Sequence, residues 1–242
     1  MYVENGYVAS FVPPFEISDG YEGVIEFGTA KMRDFTINFP LYSDVNELLI
    51  GIKEGADLRE PEPYTVKKPI VYYGSSVTQG GCASRPGNSY QGFVSRKFNA
   101  DYINLGFSGN AKGEAEMADY IKVLPMSVFV YDYDYNAPNA AHLNETHEKM
   151  FLKIREANPS LPIIIMPRPK YHLNGGDARC FEIIKKTYEN AIKRGDKNVY
   201  LIDAKTLLEL AGNEGTVDAC HPTDLGFFSM ATALIDVLKE IL

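Results

Sequence analysis

Five short apolar runs recur along the chain: Ile70 to Tyr73, Tyr102 to Leu105, Ser127 to Tyr131, Ile163 to Met166 and Val199 to Ile202. Helix-length segments separate them. Runs this short and nearly unbroken in hydrophobicity suit strands covered on both faces. Parallel neighbours must be joined by long crossovers, and these are right-handed. The pattern predicts an α/β chain with three layers, α/β/α, around a doubly wound five-stranded parallel sheet. The helices are marked as well. Leu143 to Ala157 stops at Asn158-Pro159, and Asp177 to Arg194 stops before Gly195 with Phe181, Ile184 and Tyr188 at helical spacing. From Gly226 to Leu242, Phe227, Met230, Ala231, Leu234, Ile235, Leu238, Ile241 and Leu242 form a stripe that reads as a core-facing helix.

Upstream of Ile70 the texture differs. Tyr7 to Val12, Gly23 to Phe27, Phe35 to Phe39 and Glu47 to Ile52 are strand-like stretches between the turn signals Pro13-Pro14, Ser18-Asp19-Gly20 and Gly51 to Gly55. They predict a small antiparallel β unit. Charge shifts at the same place: residues 1–66 hold four basic and twelve acidic side chains, against 20 of each in 67–242. The extended run Arg59 to Tyr64, with two prolines, marks the boundary. The expected domains are 1–66 and 67–242.

Several function classes fall away. A net charge of −8 speaks against nucleic acid or an anionic membrane as partner. The longest apolar runs fall far short of the roughly 18–20 residues of a membrane span. The start, Met1 to Asn5, has neither a basic nor an apolar leader region, so a cytoplasmic location is expected. Cys82, Cys180 and Cys220 are too few and scattered for a disulfide framework or a four-ligand zinc site, so no metal is expected. Gly74 to Gly81 lacks both the lysine of a P-loop and the three-glycine dinucleotide fingerprint, and no cofactor is expected.

In an open parallel sheet the reactive crevice lies beyond the carboxyl ends of the strands. The loop after the first run, Gly74-Ser75-Ser76-Val77-Thr78-Gln79-Gly80-Gly81, turns on small residues and presents Ser76 as a candidate nucleophile. A serine hydroxyl needs a base. Of His142, His147, His172 and His221, the last follows the final strand and has Asp218 three residues before it. A carboxylate so placed can take the second ring N–H and fix the tautomer, although an aspartate there also serves as an ordinary turn or cap residue. Oxyanion donors are available at two further strand ends, the Gly109 N–H and the Asn136 amide.

Taken together, Gly74 to Gly80, Asn104 to Asn110, Asp134-Tyr135-Asn136 and Asp218 to Pro222 resemble, in order, the four blocks of the SGNH (GDSL-like) hydrolases. The resemblance covers about residues 67 to 242. It implies a flavodoxin-like fold with Ser76 as nucleophile, His221 as base and Asp218 as its orienter. It also implies an oxyanion hole of Ser76, Gly109 and Asn136. Two blocks depart from the usual wording: Ser75 stands where Gly-Asp-Ser is common, and Asp134-Tyr135-Asn136-Ala137 where Gly-x-Asn-Asp is common. With Gly81 to Tyr90, the wording is similar to a subgroup in which a β-sandwich bearing a GxDLY motif precedes the hydrolase domain. Met1 to Tyr7 resembles the stretch that begins with the last two letters of that motif. The resemblance thus implies that residues 1–66 are a shortened sandwich, and self-association through them is expected.

The remaining candidates have plainer readings beside them. Arg85 is a surface charge or a substrate contact, and His172 follows the fourth strand within reach of substrate. His142 and His147 are expected at solvent or the core edge. Cys82 and Cys220 flank the serine and histidine blocks and are expected to approach each other. Tyr131, Tyr133 and Tyr135 suit stacking on a sugar or strand packing, and Asp132 with Asp134 resembles a paired carboxylate. The activity implied is that of a serine esterase acting on small acyl esters, acetyl on carbohydrate foremost. Lysophospholipase or thioesterase activity, or a non-catalytic glycan-binding module, are the alternatives.

Overall fold

The computed structural model describes residues 1–17 and 19–242; Ser18, in one of the expected turns, lies outside them. The chain divides into two units, Met1–Pro63 and Tyr64–Leu242. In the larger, β4 (Val66–Gly74), β5 (Ala100–Gly106), β6 (Val128–Asp132), β7 (Ile163–Ile165) and β8 (Val199–Leu201) form one sheet in the order β5-β4-β6-β7-β8. Every pairing is parallel. The first strand of this sheet lies between the second and third, so the order reverses at β4 and β6, the switch point of a doubly wound fold.

Period-two alternation explains the unbroken apolar runs. Val71, Tyr73, Phe129, Tyr131, Ile163 and Ile165 enter one core, while Ile70, Tyr72, Val128, Val130 and Ile164 enter the other. Helices α3 (Ala115–Ile121), α4 (Ala140–Ala157) and α5 (Gly175–Lys193) cover the first face. On the second face lie α1 (Ser76–Gln79), α2 (Tyr90–Phe98), α6 (Ala204–Leu207) and α7 (Asp224–Leu238). Phe227, Met230, Ala231, Leu234 and Leu238 of α7 are all buried, whereas Leu242 lies beyond the helix and is exposed. Side chains stop the orphan amides at helix starts: Asn139 accepts from His142 N at 2.9 Å, and Thr223 from Gly226 N at 3.1 Å. Among the described residues no helix is long and apolar enough to cross a membrane.

The smaller unit holds one antiparallel sheet of three two-residue strands, β1 (Tyr2–Val3), β2 (Gly6–Tyr7) and β3 (Phe35–Thr36), ordered β2-β1-β3. Glu4 and Asn5 connect the first two with φ of 49° and 67°, the backbone of a type I′ hairpin. The expected strands at Gly23–Phe27 and Glu47–Ile52 are absent, and only Tyr7, Phe35 and Thr36 of the other two expected stretches are in strands. Val24 is 84 % exposed and Leu49 81 %. β-branched and apolar residues favour strands when a face is buried, and these two stay largely in solvent.

Candidate active site

The site grows from the end of β4. Gly74 closes the strand; Ser75, with extended backbone, caps α1 by accepting from Val77 N at 3.2 Å. Gly80, at φ 100°, ends that single turn by donating to the carbonyls of Ser76 and Val77. A sharp strand-to-helix turn results, with the nearly buried Ser76 as first helical residue. On the far side of the sequence, the segment before α7 folds back on itself, with a bridge between Thr216 and Pro222 and with Val217 N donating to His221 O at 2.9 Å. Inside this turn Asp218 Oδ1 accepts from the backbone N–H of Cys220 at 3.0 Å and of His221 at 2.7 Å. Ala219 takes φ 64° to make the bend, and Lys170 Nζ donates to its carbonyl.

Side chains from the two turns then meet. Ser76 Oγ lies 2.9 Å from His221 Nε2, and His221 Nδ1 lies 2.7 Å from Asp218 Oδ2. Asp218 accepts at Oδ2 from Nδ1–H, which leaves Nε2 as the acceptor for the serine hydroxyl. The ring N–H and the two backbone N–H groups hold the Asp218 carboxyl down at about 2.

Two more strand ends converge nearby. After β5, Phe107 N donates to Gly74 O at 2.8 Å and Ser108 N to Gln79 Oε1 at 2.9 Å, which ties this loop to the serine turn. Gly109 on the same loop has φ 73°, a conformation suited to glycine. After β6, Asp134–Asn136 forms a 3₁₀ turn, and Asn136 Nδ2 donates to Phe107 O at 3.0 Å. One amide hydrogen of Asn136 thus anchors it to the Gly109 loop. Arg85 is half-buried at the start of the 3₁₀ turn Pro86–Asn88, where its charge helps lower the Asp224 carboxyl. His172 is exposed, with its ring edge-on to Tyr171 at 4.8 Å.

Other expectations are corrected. His147 is 2 % exposed; it stacks on Tyr131 at 4.7 Å and bonds Thr187 Oγ1 at 2.8 Å, and burial pushes its ring down to about 3. It is a neutral core residue because its face of α4 packs on the sheet. Tyr131 and Tyr133 are fully buried for the same reason and present no ring to a sugar. Cys82 is exposed and Cys220 half-buried, both as free thiols. Asp132 and Asp134 do not act as a pair. Asp134 accepts from Arg168 Nε at 2.8 Å, Arg168 also donates from Nη1 to Asp177 Oδ1 at 2.6 Å, and Asp132 faces Thr78 and Tyr90.

Sequence reasoning missed these supports, and with them the cluster in which Asp224 accepts from Ser84 N at 2.9 Å and Asn88 Nδ2 at 2.7 Å. That cluster fastens the loop after Ser76 to the helix that follows His221. Its one visible sign was a polar run, Ser84 to Ser89, that ordinary turn chemistry also explains.

Residues 67–239 match the GDSL-like lipase/acylhydrolase family. The chain belongs to this family. No match was found among curated proteins. Among solved structures, a candidate GDSL-like lipase from Bacteroides ovatus ATCC 8483 is 33 % identical with a TM-score of 0.74, the match covering 84 % of this chain and 62 % of that one. A family two carbohydrate esterase from Clostridium thermocellum, in complex with cellohexaose, is 18 % identical with a TM-score of 0.57, over 76 % of this chain and 66 % of that one. A two-domain esterase active on acetylated mannans, co-crystallized with mannopentaose, is 21 % identical with a TM-score of 0.55, over 72 % and 49 %. The latter two share the fold. This GDSL-like chain spans about half to two thirds of the length of these proteins.

Proposed function

We propose that the chain is a serine esterase that removes small acyl groups, acetyl foremost, from a carbohydrate. The observation that carries the reading is the continuous line from Ser76 Oγ through His221 to Asp218, at 2.9 and 2.7 Å. Ser76 Oγ attacks the ester carbonyl as its proton passes to His221 Nε2, and the charge that builds on the ring is balanced by Asp218. The tetrahedral oxyanion is held by the N–H groups of Ser76 and Gly109 and by the second amide hydrogen of Asn136. The intermediate collapses as His221 returns the proton to the departing alcohol. Water, deprotonated by the same ring, then releases the acid and restores Ser76.

Carbohydrate is favoured over a lysophospholipid or a thioester by the two structural relatives described as a carbohydrate esterase and as an esterase active on acetylated mannans. The test is p-nitrophenyl acetate turnover by the wild type and by Ser76→Ala, followed by acetate release from acetylated mannan. Turnover by the wild type, with the variant slower by several decades and a residual rate roughly 10³–10⁴ above water, is expected. Equal release of nitrophenol by both proteins would refute the serine mechanism. Turnover of the model ester without acetate release from any acetylated glycan would remove the carbohydrate assignment alone, and a non-catalytic glycan module would show neither.

A further inference from the structure

Asp132 is the last residue of β6, in register with Gly74 at the end of β4. Its carboxyl does not reach into the crevice. It turns under the serine loop, 3 % exposed, where Oδ1 accepts from Thr78 Oγ1 and Oδ2 from Tyr90 OH at 3.2 Å. The Ser75 N–H donates to the same carboxyl. Gly74 makes room for it, since a Cβ there would overlap both Asp132 Oδ1 and Thr78 Oγ1. One carboxyl therefore grips the residue before Ser76, the residue two after it and the first residue of α2.

The charged neighbour that bears most on this buried acid is Asp134, and the Arg168 guanidinium is taken up by Asp134 and Asp177. Burial pushes the Asp132 carboxyl up to about 8 against the pull of its three donors. Isolated polar burial is costly, and a plain core would place an apolar residue at this strand end. Ser76 gains from it a fixed post. The turn α1 has only four residues, too short to hold its own geometry, so the direction of Oγ and of the Ser76 N–H depends on what grips Ser75 and Thr78.

Resting on the esterase reading, we propose that Asp132 is a positioning residue for the nucleophile, acting through the Ser75 N–H and the Thr78 hydroxyl to aim Ser76 at both His221 and the reacting carbonyl. Such a residue sets kcat rather than substrate affinity, because a shift of about 1 Å at the nucleophile costs up to about 10²-fold in rate.

The test uses the full chain with Asp132→Asn, Thr78→Val, Thr78→Ser and Tyr90→Phe. It reads kcat and KM for p-nitrophenyl acetate, the rate of Ser76 phosphonylation by a p-nitrophenyl phosphonate, and the melting curve. Expected are a kcat loss of about 10- to 100-fold in Thr78→Val and Asp132→Asn at nearly unchanged KM. The slowing of phosphonylation should match, Thr78→Ser should recover to near the wild-type rate, and Tyr90→Phe should lose less. All of this should occur in protein that is folded at the assay temperature. Wild-type kcat in Thr78→Val, failure of Thr78→Ser to recover, or loss that follows the unfolded fraction would each overturn the proposal and make Asp132 a purely structural residue. Variants that do not fold at all would also overturn it, since a positioning residue leaves a folded, slow enzyme. A wild type that neither turns over ester nor takes up phosphonate would instead refute the esterase reading beneath it.

Discussion

Three N–H groups converge on the Asp218 carboxylate, and this fixes how the site responds to acid. With its carboxyl held at about 2, Asp218 stays ionised across the range in which an esterase is assayed. Its folded-state carboxyl lies below the ordinary carboxylate value, so its charge is lost only as pH falls toward 2. Asp218→Asn, which removes that charge at every pH, should lower kcat/KM for p-nitrophenyl acetate at pH 7 by orders of magnitude. Wild-type kcat/KM in Asp218→Asn would contradict the role of the carboxylate. The pair of Asp218 and His221 was legible in the chain because its spacing is local, three positions on one turn. Asp132, Thr78 and Tyr90 were not: they lie 54 and 42 residues apart and meet only through strand register. Arg168, Asp134 and Asp177 escaped for the same reason.

Among the elements, α1 and β5 cross closely. A Cβ on Gly106 would overlap the backbone of Thr78 and Gln79, so the end of β5 can lie under α1 only as glycine. Gly106→Ala should destabilise by roughly 1–3 kcal/mol and lower Tm by several degrees in calorimetry, at about 2–4 °C per kcal/mol. Gly176→Ala, in the first turn of α5 with open space around it, should change stability by less than about 0.5 kcal/mol. Equal Tm values for the two variants would contradict the packing. The central strands of the large sheet were the most readable, because β6 and β7 are buried at every position and β4 from Ile70 on, whereas the edge strands β5 and β8 are only partly buried. Strand ends were less readable. β4 begins at Val66, since pairing with Ala100 resumes past a register shift that the polar Lys67-Lys68-Pro69 conceals. In residues 1–63 the strand-like composition misled, because side chains such as Val24 and Leu49 stay largely exposed.

For the molecule as a whole, both cores lie within residues 66–241, while Met1–Pro63 contributes Tyr2 as its one buried apolar side chain among the described residues. Apolar surface of that extent is expected to be covered by a second copy of the chain. Sedimentation velocity should therefore give a dimer or larger for residues 1–242 and a monomer for a chain of residues 64–242, which carries both cores. A monomeric chain of residues 1–242 would contradict self-association through this unit. Whether His221 makes Ser76 nucleophilic is read from the mass of the intact chain after incubation with a p-nitrophenyl phosphonate. One adduct per chain is expected, on the peptide that carries Ser76, missing in Ser76→Ala and slow to form in His221→Ala. An unmodified chain, or an adduct that persists in Ser76→Ala, would contradict it.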